Sequence, residues 1–257
     1  MNANTYLPTE SLRPFVKMYR VVESSDELIN RIVPDTSLTM VFRFKGSVGS
    51  VVSDTNNLFP VSLISGMRKS GRLINYSKDS GNVIVQFKEA GIRAFIREPT
   101  HEFYEKSVSL NDLVGYADVS TLEHRLAESK NNMQRVALVE DFLLSKVSDQ
   151  KQDGLVLSAI SRINASRGTV KINDLANMMC ISLDAFEKRF RKVAGASPKQ
   201  FSSIVRMKSI IARMPSYQQL DDLAFEAGYF DRAHFSKDFK LFTGLTPLDF
   251  IKSPVHW

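Results

Sequence analysis

The chain has one cysteine, Cys180, in 257 residues. A single thiol excludes an internal disulfide and a multi-cysteine metal site. Histidine is scarce too: there are four, and the first 150 residues hold only His101 and His124. Both lie in segments that read as helical, so a metal-holding cluster of histidines on adjacent strands is not expected. No apolar run approaches the ~20 residues that would cross a bilayer. The opening stretch, MNANTYLPTESLRPF, lacks the apolar centre of a secretory signal. These absences favour a cytosolic protein with no membrane partner, metal or cofactor. What is present is ordinary for a globular protein: the hydrophobic fraction is 43%, which argues against disorder.

The net charge of +6 is modest but unevenly placed. Residues 1–150 hold 18 basic and 18 acidic side chains, whereas residues 151–257 hold 16 and 10. The whole excess falls in the second part, which suggests a module facing a polyanion beside a neutral module with another task.

The first hundred or so residues read as strands. TSLTMVFRF, PVSLISG, GRLINYS and NVIVQF are short strand-like runs, and Gly46, Gly66, Gly71, Gly81 and the DTNN at 54–57 read as the turns between them. From Gly91 the pattern turns helical, and Pro99 interrupts it. Two amphipathic helices are expected over 119–129 and 131–147. The polar stretch 148–154 reads as the boundary, giving domains 1–150 and 151–257. Beyond it everything reads as helix, with Gly168 suited to end one helix. Ser197-Pro198 and Thr246-Pro247 each read as a cap followed by proline at the first helical position.

The second part contains an internal repeat. Leu175-Ala176 matches Leu223-Ala224, and after a one-residue insertion Phe186, Phe190, Gly195, Pro198 and Phe201 match Phe235, Phe239, Gly244, Pro247 and Phe250. Each copy has the pattern of a helix-turn-helix: a short helix with Leu-Ala inward, a turn at Cys180-Ile181 or Gly228-Tyr229, and a second helix capped by Ser182 or Asp231. The paired phenylalanines, four apart, share one face. The opposite face then carries Asp184, Glu187, Lys188 and Arg191 in the first copy, and Arg232, Ala233, Ser236, Lys237 and Lys240 in the second. A helix anchored by its back and polar in front fits a B-DNA major groove. The segment between the copies reads as one stiff helix, so two recognition helices (about 182–194 and 231–243) could enter successive major grooves.

Residues 155–252 resemble the DNA-binding domain of AraC/XylS-type bacterial transcription regulators. The resemblance rests on Gly228-Tyr229, the HFSKDFK that follows, Gly244 and Thr246-Pro247. It implies seven helices, with the third and sixth reading DNA. Carried over by position, base contacts fall to Asp184, Glu187, Lys188, Arg232, Ala233, Ser236 and Lys237. Phosphate contacts fall to Ser182, Arg191, Lys192 and Lys240. The acidic Asp184 and Glu187 depart from a simple cationic surface; a carboxylate accepts from a cytosine amine but repels phosphate. More loosely, residues before 150 look like the sensor domain of one branch of these regulators, similar to a cupin barrel followed by helices. The expected fold is therefore α+β in two domains. The expected partners are double-stranded DNA, a small-molecule effector, a second copy of the chain, and RNA polymerase if the protein activates.

Other readings compete at particular residues. A small-molecule sensor with weak DNA binding is the alternative for the whole chain. His234 between Asp231 and Asp238 has the look of a catalytic pair, yet a base without a nucleophile or metal is not a mechanism. Cys180 would be the nucleophile of an alkyl-transfer repair protein, but a small turn residue explains it. The basic, glycine-flanked SGMRKSGR at 65–72 could cradle an anion, though a hairpin tip is the expectation because phosphate-loop spacing is missing. Phe42, Phe44, Phe59 and Phe87 could line an apolar pocket or simply be core. Met133, Val136, Leu143 and Val147 could face a partner chain or pack on their own barrel.

Overall fold

The computed structural model describes residues 1–52, 55–113, 115–148, 152–216 and 220–252. The strands are β1 (Asn2–Tyr6), β2 (Val16–Ser24), β3 (Leu28–Ile32), β4 (Thr39–Lys45), β5 (Val48–Val52), β6 (Thr55–Leu58), β7 (Ser62–Ser65), β8 (Arg72–Tyr76), β9 (Ser80–Phe87) and β10 (Ser107–Ser109). They form two antiparallel sheets, β1-β2-β9-β4-β7-β10 and β3-β8-β5-β6. Helices α1 (Val119–Glu128) and α2 (Asn132–Lys146) follow.

Alternation along the strands gives the larger sheet two different faces. Tyr19, Val21, Met40, Phe42, Val83, Val85 and Phe87 point one way and are almost wholly buried. Register brings them together: Met40 lies opposite Val85, and Phe42 and Val21 both lie opposite Val83. This face packs under the helices, with Phe42 edge-on to Phe142 at 5.9 Å and the Arg135 guanidinium over the Phe44 ring at 4.0 Å. The other face, with Val22, Val41 and Ile84, looks toward the second sheet. Only a small apolar cluster of Val22, Val48, Ile74 and Tyr76 is buried there, with Phe59 and Ile84 against it. The rest of the space between the sheets is a cavity of about 500 Å³. The main core thus sits outside the sheet pair, beneath the helices, and runs on into the second half of the chain.

That second half consists, among its described residues, of seven α-helices: α3 (Gly154–Ala165), α4 (Ile172–Met178), α5 (Leu183–Ala194), α6 (Pro198–Arg213), α7 (Leu220–Glu226), α8 (Arg232–Thr243) and α9 (Pro247–Lys252). Both expected proline starts are present. Ser197 and Gln200 form a reciprocal capping box at α6, and Thr246 Oγ1 accepts from the Asp249 N–H at 3.2 Å at α9.

Three expectations change. Gly81 is not a turn but lies inside β9, where the Phe44 ring fills the space a side chain would need. Residues 55–57 belong to β6 rather than a turn, and Asp54 lies outside the described residues. The 65–72 segment is not a hairpin tip, because β7 and β8 belong to different sheets; it crosses between them. Of the four phenylalanines only Phe59 lines the cavity, while Phe42, Phe44 and Phe87 join the core on the helix side. In the α2 stripe Val136 and Leu143 are buried against the barrel, and Met133 and Val147 remain exposed. Residues 149–151 of the expected boundary lie outside the described residues.

Candidate nucleic-acid interface

Two helix-turn-helix units stand in the second half, α4–α5 and α7–α8. In the first, Leu175 and Ala176 are buried; in the second, Leu223 and Ala224. The turn in each needs a residue with left-handed backbone. Gly228 supplies it at φ +81° and Cys180 at φ +52°, a conformation that costs a non-glycine residue about 1–2 kcal/mol. The cysteine is therefore a turn residue set where its repeat partner is glycine, and its thiol is exposed.

Caps then start the longer helices. Ser182 Oγ accepts from the Ala185 N–H at 3.4 Å, and Asp231 Oδ1 from the His234 N–H at 2.7 Å. Capping uses Ser182 as an acceptor and leaves its hydroxyl proton free to donate. The rings of Phe186 and Phe190 lie 5.7 Å apart, those of Phe235 and Phe239 5.6 Å apart, and all four are buried. With the backs fixed, the fronts face solvent. Ser182, Asp184, Lys188, Arg191 and Lys192 are exposed and Glu187 is half-buried. On α8 Arg232, Ala233, Lys237 and Lys240 are exposed and Ser236 is half-buried. The sixteen residues of α6 put about 24 Å of helix between the units.

Several contacts could not be read from residue type. Arg189, one position from Lys188 and two from Arg191 on the α5 front, is held by Asp153, with Nε–Oδ2 2.6 Å and Nη2–Oδ1 3.0 Å. The same Asp153 caps α3. Burial works against its charge, but the bonds from Arg189 and the Val156 N–H prevail and hold its pKa below the usual carboxylate range. An aspartate just before a helix start was the available signal. On α8, Asp238 accepts from the Tyr229 hydroxyl at 3.3 Å, and burial pushes that hydroxyl up to about 12. The Arg206 guanidinium lies over the same ring at 4.6 Å. His234 Nε2 is 3.6 Å from Asp238 Oδ2, too long for a hydrogen bond, and its ring stands edge-on to Tyr229. Asp231 is occupied as a cap, so the residues around His234 are explained by helix packing. Beside them Phe225 and Phe230 are 78% and 95% exposed, large apolar groups on the α7–α8 side that the repeat comparison left unmarked.

Helices α5 and α8 also end on the N-terminal half. Gly195 (φ +94°) follows α5, and a side chain there would lie 3.2 Å from Met67 and 3.3 Å from Leu38. Thr100 Oγ1 donates to the Lys192 carbonyl at 2.9 Å. Gly244 (φ +79°) follows α8, and Arg31 fills the place of its missing side chain while donating to the Thr243 carbonyl at 3.4 Å. Midway between the units, Lys208 of α6 reaches Asp35 at 2.7 Å, and both line the cavity between the sheets. Burial raises the Asp35 carboxyl, but the Lys208 ammonium and the Ser37 N–H outweigh it and its pKa is lowered.

The family match agrees with this geometry. A family described as a helix-turn-helix domain matches residues 175–253, and a domain of unknown function, DUF6597, matches residues 4–109. An uncharacterized HTH-type transcriptional regulator of Haemophilus influenzae is 30% identical over 117 residues, 45% of this chain and 38% of the relative. The match thus spans well under half of that relative's length. Among solved structures, ToxT from Vibrio cholerae is similar at 11% identity over 98% of this chain and 97% of its own, with a TM-score of 0.48. The C-terminal domain of AraT, a response regulator from Geobacillus stearothermophilus, is 18% identical over 42% of this chain and 92% of its own, with a TM-score of 0.38. With two phenylalanine-anchored units on one connecting helix and the family match across both, residues 175–253 are similar to the helix-turn-helix domain family over both units.

Proposed function

We propose that the protein is a sequence-specific DNA-binding transcription regulator that sets α5 and α8 in successive major grooves and is modulated through its β-rich half. The observation that carries this is the duplicated frame: two turns that each turn on one left-handed residue, two buried phenylalanine pairs, and polar fronts left in solvent. Base edges fall to Asp184, Glu187, Lys188, Arg232, Ala233, Ser236 and Lys237. Phosphates fall to Ser182, Arg191, Lys192 and Lys240. Exposed Phe230 adds an apolar group of the kind that packs on a thymine methyl. The contacts of Gly195, Gly244 and Lys208 with the first half give a route by which that half alters the spacing of the reading helices. RNA polymerase is a further partner if the protein activates.

No described helix is long and apolar enough to cross a membrane, and a cytoplasmic regulator is the reading that fits DNA as its target. Pairing of two chains, if it occurs, has the exposed Met133, Leu144 and Val147 of α2 to use; sedimentation with and without DNA decides it. Selecting bound duplexes from a random pool with the full chain tests the central reading. An enriched motif with two contacted segments about one helical turn apart is expected, and a pool without enrichment refutes it.

A further inference from the structure

The cavity between the sheets is lined by more positive charge than its surroundings balance. Arg20, Arg31, Arg43, Arg68, Arg72 and Lys208 all border it. Two of these are accounted for at the domain junction: Lys208 by Asp35 and Arg31 by the Thr243 carbonyl. The opposite corner differs. Arg72, at the start of β8, donates to Ser65 Oγ at 3.0 Å and Ser107 Oγ at 3.1 Å. Arg68, from the crossing segment, donates to the same Ser107 Oγ at 3.2 Å and to the Glu105 carbonyl at 2.8 Å. Two guanidinium groups therefore converge on one hydroxyl, and the ion pairs among the described residues include neither of them. The Arg68 Nε–H is buried with no partner. The nearest acid, Glu105, spends one oxygen on the Lys69 N–H at 2.6 Å. Burial first, and the Arg68 charge second, bring the Arg72 guanidinium down to about 10. Half-buried like charges that share a hydroxyl are unfavourable unless an anion joins them.

Part of the remaining wall is apolar: Val22, Val41, Leu63, Ile74 and Ile84, with Phe59 beneath the Arg72 guanidinium at 5.2 Å, while Thr39, Asn82 and Gln86 add polar groups. About 500 Å³ lies within the range of small-molecule sites. We propose that this cavity binds an organic anion, with its oxyanion group held between Arg68 and Arg72 and its apolar body along Val41, Leu63, Ile74 and Ile84. Paired guanidinium forks match a carboxylate or a phosphate equally, so the shared chemistry is an oxyanion on an apolar stem. This deepens the reading of the β-rich half as a sensor. Gly71, between the two arginines, approaches the Phe242 carbonyl near the end of α8, with 2.9 Å to where its side chain would begin. The segment that holds the anion also touches the second recognition helix.

Calorimetry on the full chain without DNA tests it, using decanoate, decyl phosphate, decan-1-ol and inorganic phosphate. Binding of decanoate or decyl phosphate at least about ten-fold tighter than decan-1-ol is expected, since a charged hydrogen bond is worth that much. Which of the two anions binds more tightly separates a carboxylate ligand from a phosphate one. Arg72→Met should erase the preference of anion over alcohol and leave the alcohol unchanged. Arg68→Gln should weaken the anion by a smaller factor and serves if the first variant does not fold. Lys130→Ala, exposed between α1 and α2 and away from the cavity, should bind as the wild type does. The proposal fails if neither anion binds, if the alcohol binds as well as the anions, if inorganic phosphate binds as tightly as decyl phosphate, or if the folded arginine variants keep full anion affinity. DNA selection is a separate readout, so failure here leaves the regulator reading standing, and the reverse holds too.

Discussion

The two helix-turn-helix units share a frame and differ in how each uses its charge. α5 and α8 each carry two more basic than acidic residues, so whole-helix charge does not separate them. Their surroundings do. In α5 Arg189 is drawn aside by Asp153, and Asp184 and Glu187 stand on the front with Lys188, Arg191 and Lys192, which leaves it one positive charge against three on α8. In α8 the only acid, Asp238, turns to Tyr229, and the front keeps Arg232, Lys237 and Lys240. Arg232 has only a loose, exposed contact of 3.5 Å with Asp221. The front of α8 is therefore cationic and the front of α5 close to neutral. Such a pair suits a division of labour in which α8 supplies affinity and α5 supplies discrimination.

The comparison breaks most severely if one frame is hollowed. Phe190→Ala and Phe239→Ala each remove a fully buried ring, and each should lower stability by about 3–5 kcal/mol in urea unfolding. Unequal losses would show that the repeats do not share one packing scheme. The charges come next. Lys237→Ala should weaken binding to the selected duplex by about 1–3 kcal/mol and relax its base preference in fluorescence anisotropy. Lys188→Ala should cost less. Lys240→Ala should weaken all sequences alike and flatten the salt dependence by about 0.9 in log–log slope. A reversal of the Lys237 and Lys188 effects would reverse the division of labour.

The turns offer a reciprocal swap. Cys180→Gly should stabilise by up to about 1–2 kcal/mol, less the added freedom of glycine in the unfolded chain. Gly228→Cys should destabilise by a similar amount; open space surrounds Gly228, so only backbone conformation is at stake. Thermal melts measure both. The smallest effect belongs to the tether on α5. Asp153→Asn should cost no more than about 1 kcal/mol, since Arg189 is half exposed. The sign follows from the lowered carboxyl pKa: this stabilisation is complete above the ordinary carboxylate pKa and is lost as pH falls through the lower folded value. A pH series on wild type and Asp153→Asn should therefore converge in acid and separate toward neutrality.

Much of the helical half was legible because its signals are local. Capping serines, Pro198, Pro247 and phenylalanines four apart each act within one or two turns of chain, and the repeat displayed them twice. The sheets were legible only in part. β4, β7, β8 and β9 carry apolar runs, but β6 is exposed throughout and β1 nearly so, so neither has an alternation to detect. The 65–72 segment misled for another reason: turn chemistry looks alike whether the chain folds back on its own sheet or crosses to another. The charge tethers were illegible because Asp153–Arg189 and Asp35–Lys208 join residues 36 and 173 positions apart, and only the assembled fold brings them together.

Gly195 and Gly244 show what such assembly does to tolerance. In an isolated helix-turn-helix each would be a stop signal that asparagine could replace at modest cost. Here any side chain would also meet Leu38 and Met67 at one site and Arg31 at the other. A library of random variants selected for stability should find glycine strongly preferred at both positions, where the backbone is left-handed. Positions on the solvent-facing fronts of the same helices should accept wide variety under that selection. Descendants of this chain are thus free to change the polar fronts of α5 and α8 far more readily than how those two helices are seated.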